Sequence, residues 1–191
     1  MKITPINQWL PFNDYLVIAG PCSAETEAQV LSTAHQVNKI DKVKVFRAGI
    51  WKPRTRPNTF EGIGVDGLKW LQKVKKETGL LTCTEVASPD HIKACLDHDV
   101  DILWIGARTT VNPFLIQNIA DSLEGKDIPI MIKNPINADI SLWIGAIERF
   151  LNKGITKLVG IHRGFSTARP SPYRNEPCWK IPIEIRQKVP G

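Results

Sequence analysis

The sequence predicts an α/β protein of the (β/α)8 TIM-type barrel class, with about six of the eight βα units lying within its 191 residues. Three observations predict it. Short, nearly continuous apolar segments recur along the chain, as expected of parallel strands buried on both faces. Longer stretches with apolar residues at helical spacing separate them. Polar and mostly cationic residues follow the apolar segments, and the carboxyl ends of the strands are where a parallel barrel carries its site.

Strands are expected at residues 16–20, 43–48, 80–85, 102–106, 130–133 and 157–162. The helices between them are punctuated by capping signals. Ser23 precedes AETEAQVLSTAHQV, Ser88-Pro89-Asp90 opens HIKACLDH, and Asn112-Pro113 opens FLIQNIADSL, while Gly79, Gly125 and Gly154 sit near helix ends. The basic run from Lys73 to Lys76 falls on a helix and reads as a solvated face. The Pro-rich stretch from Arg169 to Pro182 reads as a long βα loop, because WKIPIEIRQKV returns to helical spacing. Residues 1–191 are therefore expected to form a single, partial barrel domain.

With 42% hydrophobic and 23% charged residues, the chain has the make-up of a globular domain able to bury a core. The opening MKITPINQWLPFND lacks a continuous apolar stretch, and no later run approaches the roughly 20 residues needed to cross a bilayer, so a cytoplasmic protein without membrane contact is expected. Cys22, Cys83, Cys95 and Cys178 have neither CxxC pairing nor the spacing of a disulfide framework, which suits reduced thiols. A net charge of +6 fits nucleic acid, a membrane surface or a small polyanion, and the positions of the cations decide among them. They gather at strand ends without interleaved stacking aromatics, so nucleic acid is not an expected partner.

Arg47, Lys52, Arg54, Arg108, Lys133 and Arg163 would repel one another on one rim unless a strongly anionic partner were bound. Guanidinium forks match phosphate and carboxylate oxygens, and lysine adds a point charge or a proton donor. The mixture suits a phosphorylated carboxylic acid better than a nucleotide, for which the chain has no Walker or dinucleotide glycine pattern. Arg47 in VKVFRAG and Lys133 in PIMIKN lie in apolar surroundings, where a charge without a partner is costly. Arg56 is expected to reach solvent. Cys22, between Pro21 and Ser23, fits a small buried hydrophobe, a metal ligand or a reactive thiol equally well. Glu85 suits a group that orients a cation or a water, or one that neutralises an arginine. His162 reads as a core residue, a phosphate ligand or a support behind one; His35, His91 and His98 fall on predicted helices and are expected at the surface.

The strings GPCSAE, FRAGIWKPRT, IGAR, IKNP and IHRG, in that order and each at a strand end, resemble the 3-deoxy-D-arabino-heptulosonate 7-phosphate (DAHP) synthases over nearly the whole chain. The resemblance is to the type I beta branch, including forms fused to chorismate mutase, which leaves room for such a domain downstream. It implies a transferase that condenses phosphoenolpyruvate with erythrose 4-phosphate and releases phosphate, the first step of the shikimate pathway. It also implies a divalent metal of the Mn, Fe, Co or Zn class. Carried over motif by motif, Arg47, Lys52, Arg108, Lys133 and Arg163 match the phosphoenolpyruvate clamp, and Lys52, Pro53, Arg54 and Thr55 the segment that receives erythrose 4-phosphate. Cys22 matches a metal ligand, Lys52 a proton donor, and Glu85 a carboxylate that positions water or a cation.

The synthases of 3-deoxy-D-manno-octulosonate 8-phosphate (KDO8P), which use arabinose 5-phosphate, share the fold and first substrate but carry a KANRS-like string where this chain reads KPRT. A non-catalytic protein that binds a phosphorylated metabolite is the remaining alternative. The family's other metal ligands come from its last two strands, in and after a DPSH-like string, and these residues contain none. The chain is accordingly expected to be a piece that ends before the seventh strand, is catalytically incompetent alone and associates with further copies as a homo-oligomer. The short segment before the first strand is expected to leave no room for an N-terminal regulatory domain.

Overall fold

The computed structural model describes residues 2–54 and 56–190. After a short 3-10 turn at Ile6–Gln8 come β1 (Val17–Ala19), α1 (Glu27–Val37), β2 (Val43–Arg47), α2 (Asp66–Thr78), β3 (Leu81–Val86), α3 (Pro89–Asp97) and β4 (Ile102–Ile105). The chain continues through α4 (Ala107–Thr110), α5 (Pro113–Ser122), β5 (Ile130–Lys133), α6 (Ile140–Asn152), β6 (Leu158–Ile161) and α7 (Lys180–Lys188). Strand order in the sheet is chain order. Each expected strand is found to within a residue at either end.

Two details differ from the sequence expectation. α1 is capped by Thr26 rather than Ser23: the Thr26 hydroxyl accepts from Gln29 N, while Ala24 N is occupied by Gly49 O and holds the preceding residues in the loop. α4 was not expected, since four residues carry no readable period. It follows Gly106, and the buried Thr110 hydroxyl meets both Gly106 O and Lys133 O at 3.1 and 3.0 Å.

The chain folds into two compact units. The first comprises Pro11–Val86 and Asp90–Leu103. In it β1, β2 and β3 run parallel, with Ala19 opposite Phe46 and Arg47 opposite Cys83. Val45, Phe46, Leu68, Leu71, Val74 and Ile92 are essentially fully buried, so the apolar faces of α2 and α3 are spent on the sheet. Gly79 ends α2 in the left-handed conformation at φ 72°, as its place after Thr78 predicts. Asp101 accepts from Thr82 N and from the Thr82 hydroxyl, and pairs with Lys75 at 2.6 Å, tying β3 to α2.

The second unit comprises Met1–Leu10, Ala87–Pro89 and Trp104–Gly191. β5 and β6 pair in parallel from Ile130 and Leu158 to Lys133 and Ile161. Trp143 of α6 is buried, its indole N–H donates to Ile132 O at 3.2 Å, and a Cβ on Gly160 would come within 3.3 Å of its ring. A large residue on the helix thus meets a small one on the strand. Thr4 joins Thr156 through backbone and hydroxyl bonds of 2.9 Å, which docks the N-terminal segment at the start of β6. After β6 the expected long loop doubles back, and Phe165 and Glu176 exchange two antiparallel backbone bonds of 2.8 and 2.7 Å. Among the described residues no helix is long and apolar enough to cross a membrane.

Candidate functional site

In the first unit the loop after β1 lies against the end of β2, and glycine permits this. At Gly20, φ is +144°, and a Cβ would sit 2.0 Å from Arg47 O. At Gly49 a Cβ would meet Cys22 O at 2.6 Å and Lys52 Nζ at 3.1 Å. The close approach brings Lys52 onto Cys22: its ammonium donates to Cys22 O at 2.8 Å and lies 3.5 Å from Sγ. Cys22 is exposed, which removes the reading as a small buried hydrophobe. Partial burial pushes its thiol pKa up, but Lys52 and then Arg47 outweigh this and hold it below the ordinary value, so the thiolate forms more readily than in an ordinary cysteine.

The segment carrying KPRT forms a loop closed at its neck by Lys52 N to Glu61 O at 2.7 Å and Gly64 N to Ile50 O at 2.9 Å. Arg54 turns back, its Nε donating to Phe60 O at 2.8 Å. Pro53, Arg54 and Arg56 are exposed, and Thr55 lies outside the described residues. Glu85 is half-buried, next to last in β3; beside it Thr84, fully buried, donates to Ala48 O at 2.8 Å. His91 is not the surface residue expected. Its ring stacks on Trp51 with centroids 3.9 Å apart and planes 6° from parallel, and burial holds its pKa below the ordinary histidine value.

In the second unit Lys133 ends β5 with its ammonium 5.0 Å from the centroid of the Trp104 ring, a cation–π contact for a half-buried charge. Arg108 lies exposed on α4. Arg163 follows β6 and is held twice: its backbone N donates to Asn134 Oδ1 at 2.7 Å and its Nη2 to Asn175 Oδ1 at 2.5 Å. Asn134 is completely buried and spends its amide on Pro135 O and Gly164 O. Burial, then the charge of Arg174, then that of Arg108 lower the pKa of Arg163. Its Nη1 is buried without a hydrogen-bond partner among the described residues. A desolvated guanidinium with a spare N–H beside two more arginines gains directly from a bound anion.

His162 is a support for the loop. Its Nε2 meets Pro177 O at 2.5 Å and its ring packs tilted on Phe165 and Trp179. Asn175 and Arg174 were not singled out from the sequence; their YRN string lies inside a loop whose only readable feature is proline. The Trp51–His91 pair was hidden for another reason, because its members are distant in sequence and His91 shares its helix with solvent-facing residues.

The family implied by the strand-end motifs uses a metal. Cys22 offers one thiolate donor, but Lys52 and Arg47 crowd it with positive charge, and the described residues contain no group of three or more His, Cys, Asp or Glu able to hold an ion. These residues do not by themselves make a metal centre.

Parallel βα units with arginine and lysine at or just after the carboxyl ends of their strands place the chain in the class of (β/α) barrels. Within that class the chain belongs to the DAHP synthetase I family, whose model matches residues 12–189. It is 33% identical over 153 residues to the phospho-2-dehydro-3-deoxyheptonate aldolase of Thermotoga maritima, a match covering 80% of this chain and 44% of that protein. It is 30% identical to a 2-dehydro-3-deoxyphosphooctonate aldolase of Vesicomyosocius okutanii, covering 81% of this chain and 61% of the relative. The crystal structure of the Thermotoga maritima DAHP synthase superposes with a TM-score of 0.81 at 29% identity, over 97% of this chain and 52% of that one. The fold is thus a partial (β/α)8 barrel, and the chain spans about half the length of these Thermotoga relatives.

Proposed function

We propose that the full-length protein is a DAHP synthase that condenses phosphoenolpyruvate with erythrose 4-phosphate and releases phosphate. The observation that carries this reading is Arg163, whose backbone N–H donates to Asn134 and whose partly desolvated guanidinium donates to Asn175 and is flanked by Arg108 and Arg174. Arg47, Lys52, Arg108, Lys133 and Arg163 bind phosphoenolpyruvate, neutralising its phosphate and carboxylate and orienting its methylene carbon toward the aldehyde. Lys52, Pro53, Arg54 and Thr55 receive the aldose phosphate. The new carbon–carbon bond forms between the methylene and aldehyde carbons, and the aldehyde oxygen takes a proton, for which Lys52 is the donor. Water adds at the adjacent carbon, and phosphate leaves from the resulting tetrahedral centre. Glu85 orients that water. A divalent metal, with Cys22 as one ligand, belongs to the complete site and would polarise the aldehyde. The protein acts in the cytoplasm as a homo-oligomer and binds neither nucleic acid nor membrane.

The KPRT string supports the four-carbon aldose over arabinose 5-phosphate, the substrate of the KDO8P alternative. The test is phosphate release by the full-length protein, with kcat/KM compared for the two sugars. Preference for erythrose 4-phosphate is expected. A preference for arabinose 5-phosphate would overturn the reading, as would binding of phosphoenolpyruvate without turnover on either sugar.

A further inference from the structure

We propose that Trp51 and His91 form an aromatic clamp that positions the loop of residues 52–62 and so helps select the phosphorylated aldose. The choice of substrate rests on the function proposed above; the clamp itself rests on geometry. Trp51 immediately precedes Lys52, and its ring lies face to face with His91 at 3.9 Å and 6°. His91 sits in the first turn of α3, a helix anchored by the buried Ile92 and Cys95. The stack therefore ties the start of the loop to a rigid element outside it.

The loop's neck is fastened by backbone bonds from Lys52 N to Glu61 O and from Gly64 N to Ile50 O. At Gly62, with φ +107°, a Cβ would fall 2.1 Å from Ile50 O and 2.9 Å from Trp51 Cα, so the two sides of the neck touch directly. These bonds close the loop on itself without aiming it. The direction in which the chain leaves Trp51 is set by the ring on α3. That direction governs where the exposed guanidinium of Arg54 stands, whereas Lys52 keeps its own ties, its ammonium donating to Cys22 O and its N–H to Glu61 O. Trp51 and His91 are positioning residues: they act through the loop and need not touch substrate. A stacked aromatic pair contributes beyond the area it buries, and phenylalanine in place of histidine keeps a flat ring for Trp51 to stack on.

The experiment compares the full-length parent with His91→Ala and His91→Phe. In His91→Ala the KM for erythrose 4-phosphate should rise about threefold to tenfold, the scale of a lost aromatic pair, while the KM for phosphoenolpyruvate stays unchanged. His91→Phe should restore the parent value. Trypsin supplies a readout independent of turnover. Lys52 and Arg56 are followed by Pro53 and Pro57, which block cleavage, so the bond after Arg54 is the susceptible one within the loop. Mass spectrometry should find that cut faster in His91→Ala and at the parent rate in His91→Phe. Equal rises in both KM values, or unchanged KM and cleavage in His91→Ala, would overturn the clamp. A parent without turnover on either sugar would overturn the proposed function, and the trypsin comparison would then decide the clamp alone.

Discussion

Arg108 and Lys133 present opposite cases of the same chemistry. Arg108 is exposed, whereas Lys133 is half-buried over an indole, yet each is proposed to make a charge-assisted contact with phosphoenolpyruvate. Such a contact is worth about 1.5–3 kcal/mol, so Arg108→Ala and Lys133→Ala in the full-length protein should each weaken binding by roughly tenfold to a hundredfold in calorimetry. The cysteines make a second prediction at this scale. The Cys22 thiol is exposed and biased to thiolate by Lys52 and Arg47, while burial pushes Cys95 up to about 12. At about pH 7, iodoacetamide should modify Cys22 and leave Cys95 untouched in the folded protein, as read by peptide mass spectrometry. Lys52→Met should slow the reaction at Cys22. The cations were legible in the sequence because strand ends are predictable positions. Asn134 and Asn175 were not assigned a role, because an amide that orients an arginine has no signature until the chain has folded.

At the scale of elements, packing across a strand and its covering helix predicts where the protein is fragile. Trp143 is 1% exposed, fits over Gly160 and satisfies its N–H on Ile132 O. Trp143→Ala should lower the unfolding free energy by about 3–5 kcal/mol in urea titration, since it leaves both a cavity and a lost bond. α3 carries a pH effect through His91. Its folded-state pKa is depressed below 6.5, so near that pH the unfolded chain binds more protons than the folded one. The stabilisation is complete above 6.5 and is lost as pH falls from there through the depressed value. Between about pH 7.5 and about 5.5 the parent's melting temperature should therefore fall more than that of His91→Phe. Helix positions were readable from capping residues such as Asn112, whose side chain accepts from Leu115 N, whereas the Asp139 cap of α6 was not singled out. The start of α1 was misread because Ser23 has the chemistry of a cap while its neighbour Ala24 is claimed by Gly49.

For the whole molecule, the repeat of apolar strand and amphipathic helix determined the class of fold, and the order of short strand-end motifs determined the family. Neither carried information about the path of the chain between Arg163 and Trp179. That path depends on two contacts remote in sequence, the Phe165–Glu176 bridge and the bond from Ser166 N to Ile136 O at 2.8 Å. The bridge also makes residues 166–175 a loop whose ends are already joined, so its length is decoupled from the strand and helix on either side. Closure entropy grows only with the logarithm of length, about 0.6 kcal/mol for each doubling. A flexible glycine–serine insert that doubles the loop between Ala168 and Arg169 should thus lower stability by about that amount, as measured by urea unfolding. The loop is a place where a reporter peptide can be carried with little thermodynamic penalty, and where natural variation in length would be tolerated.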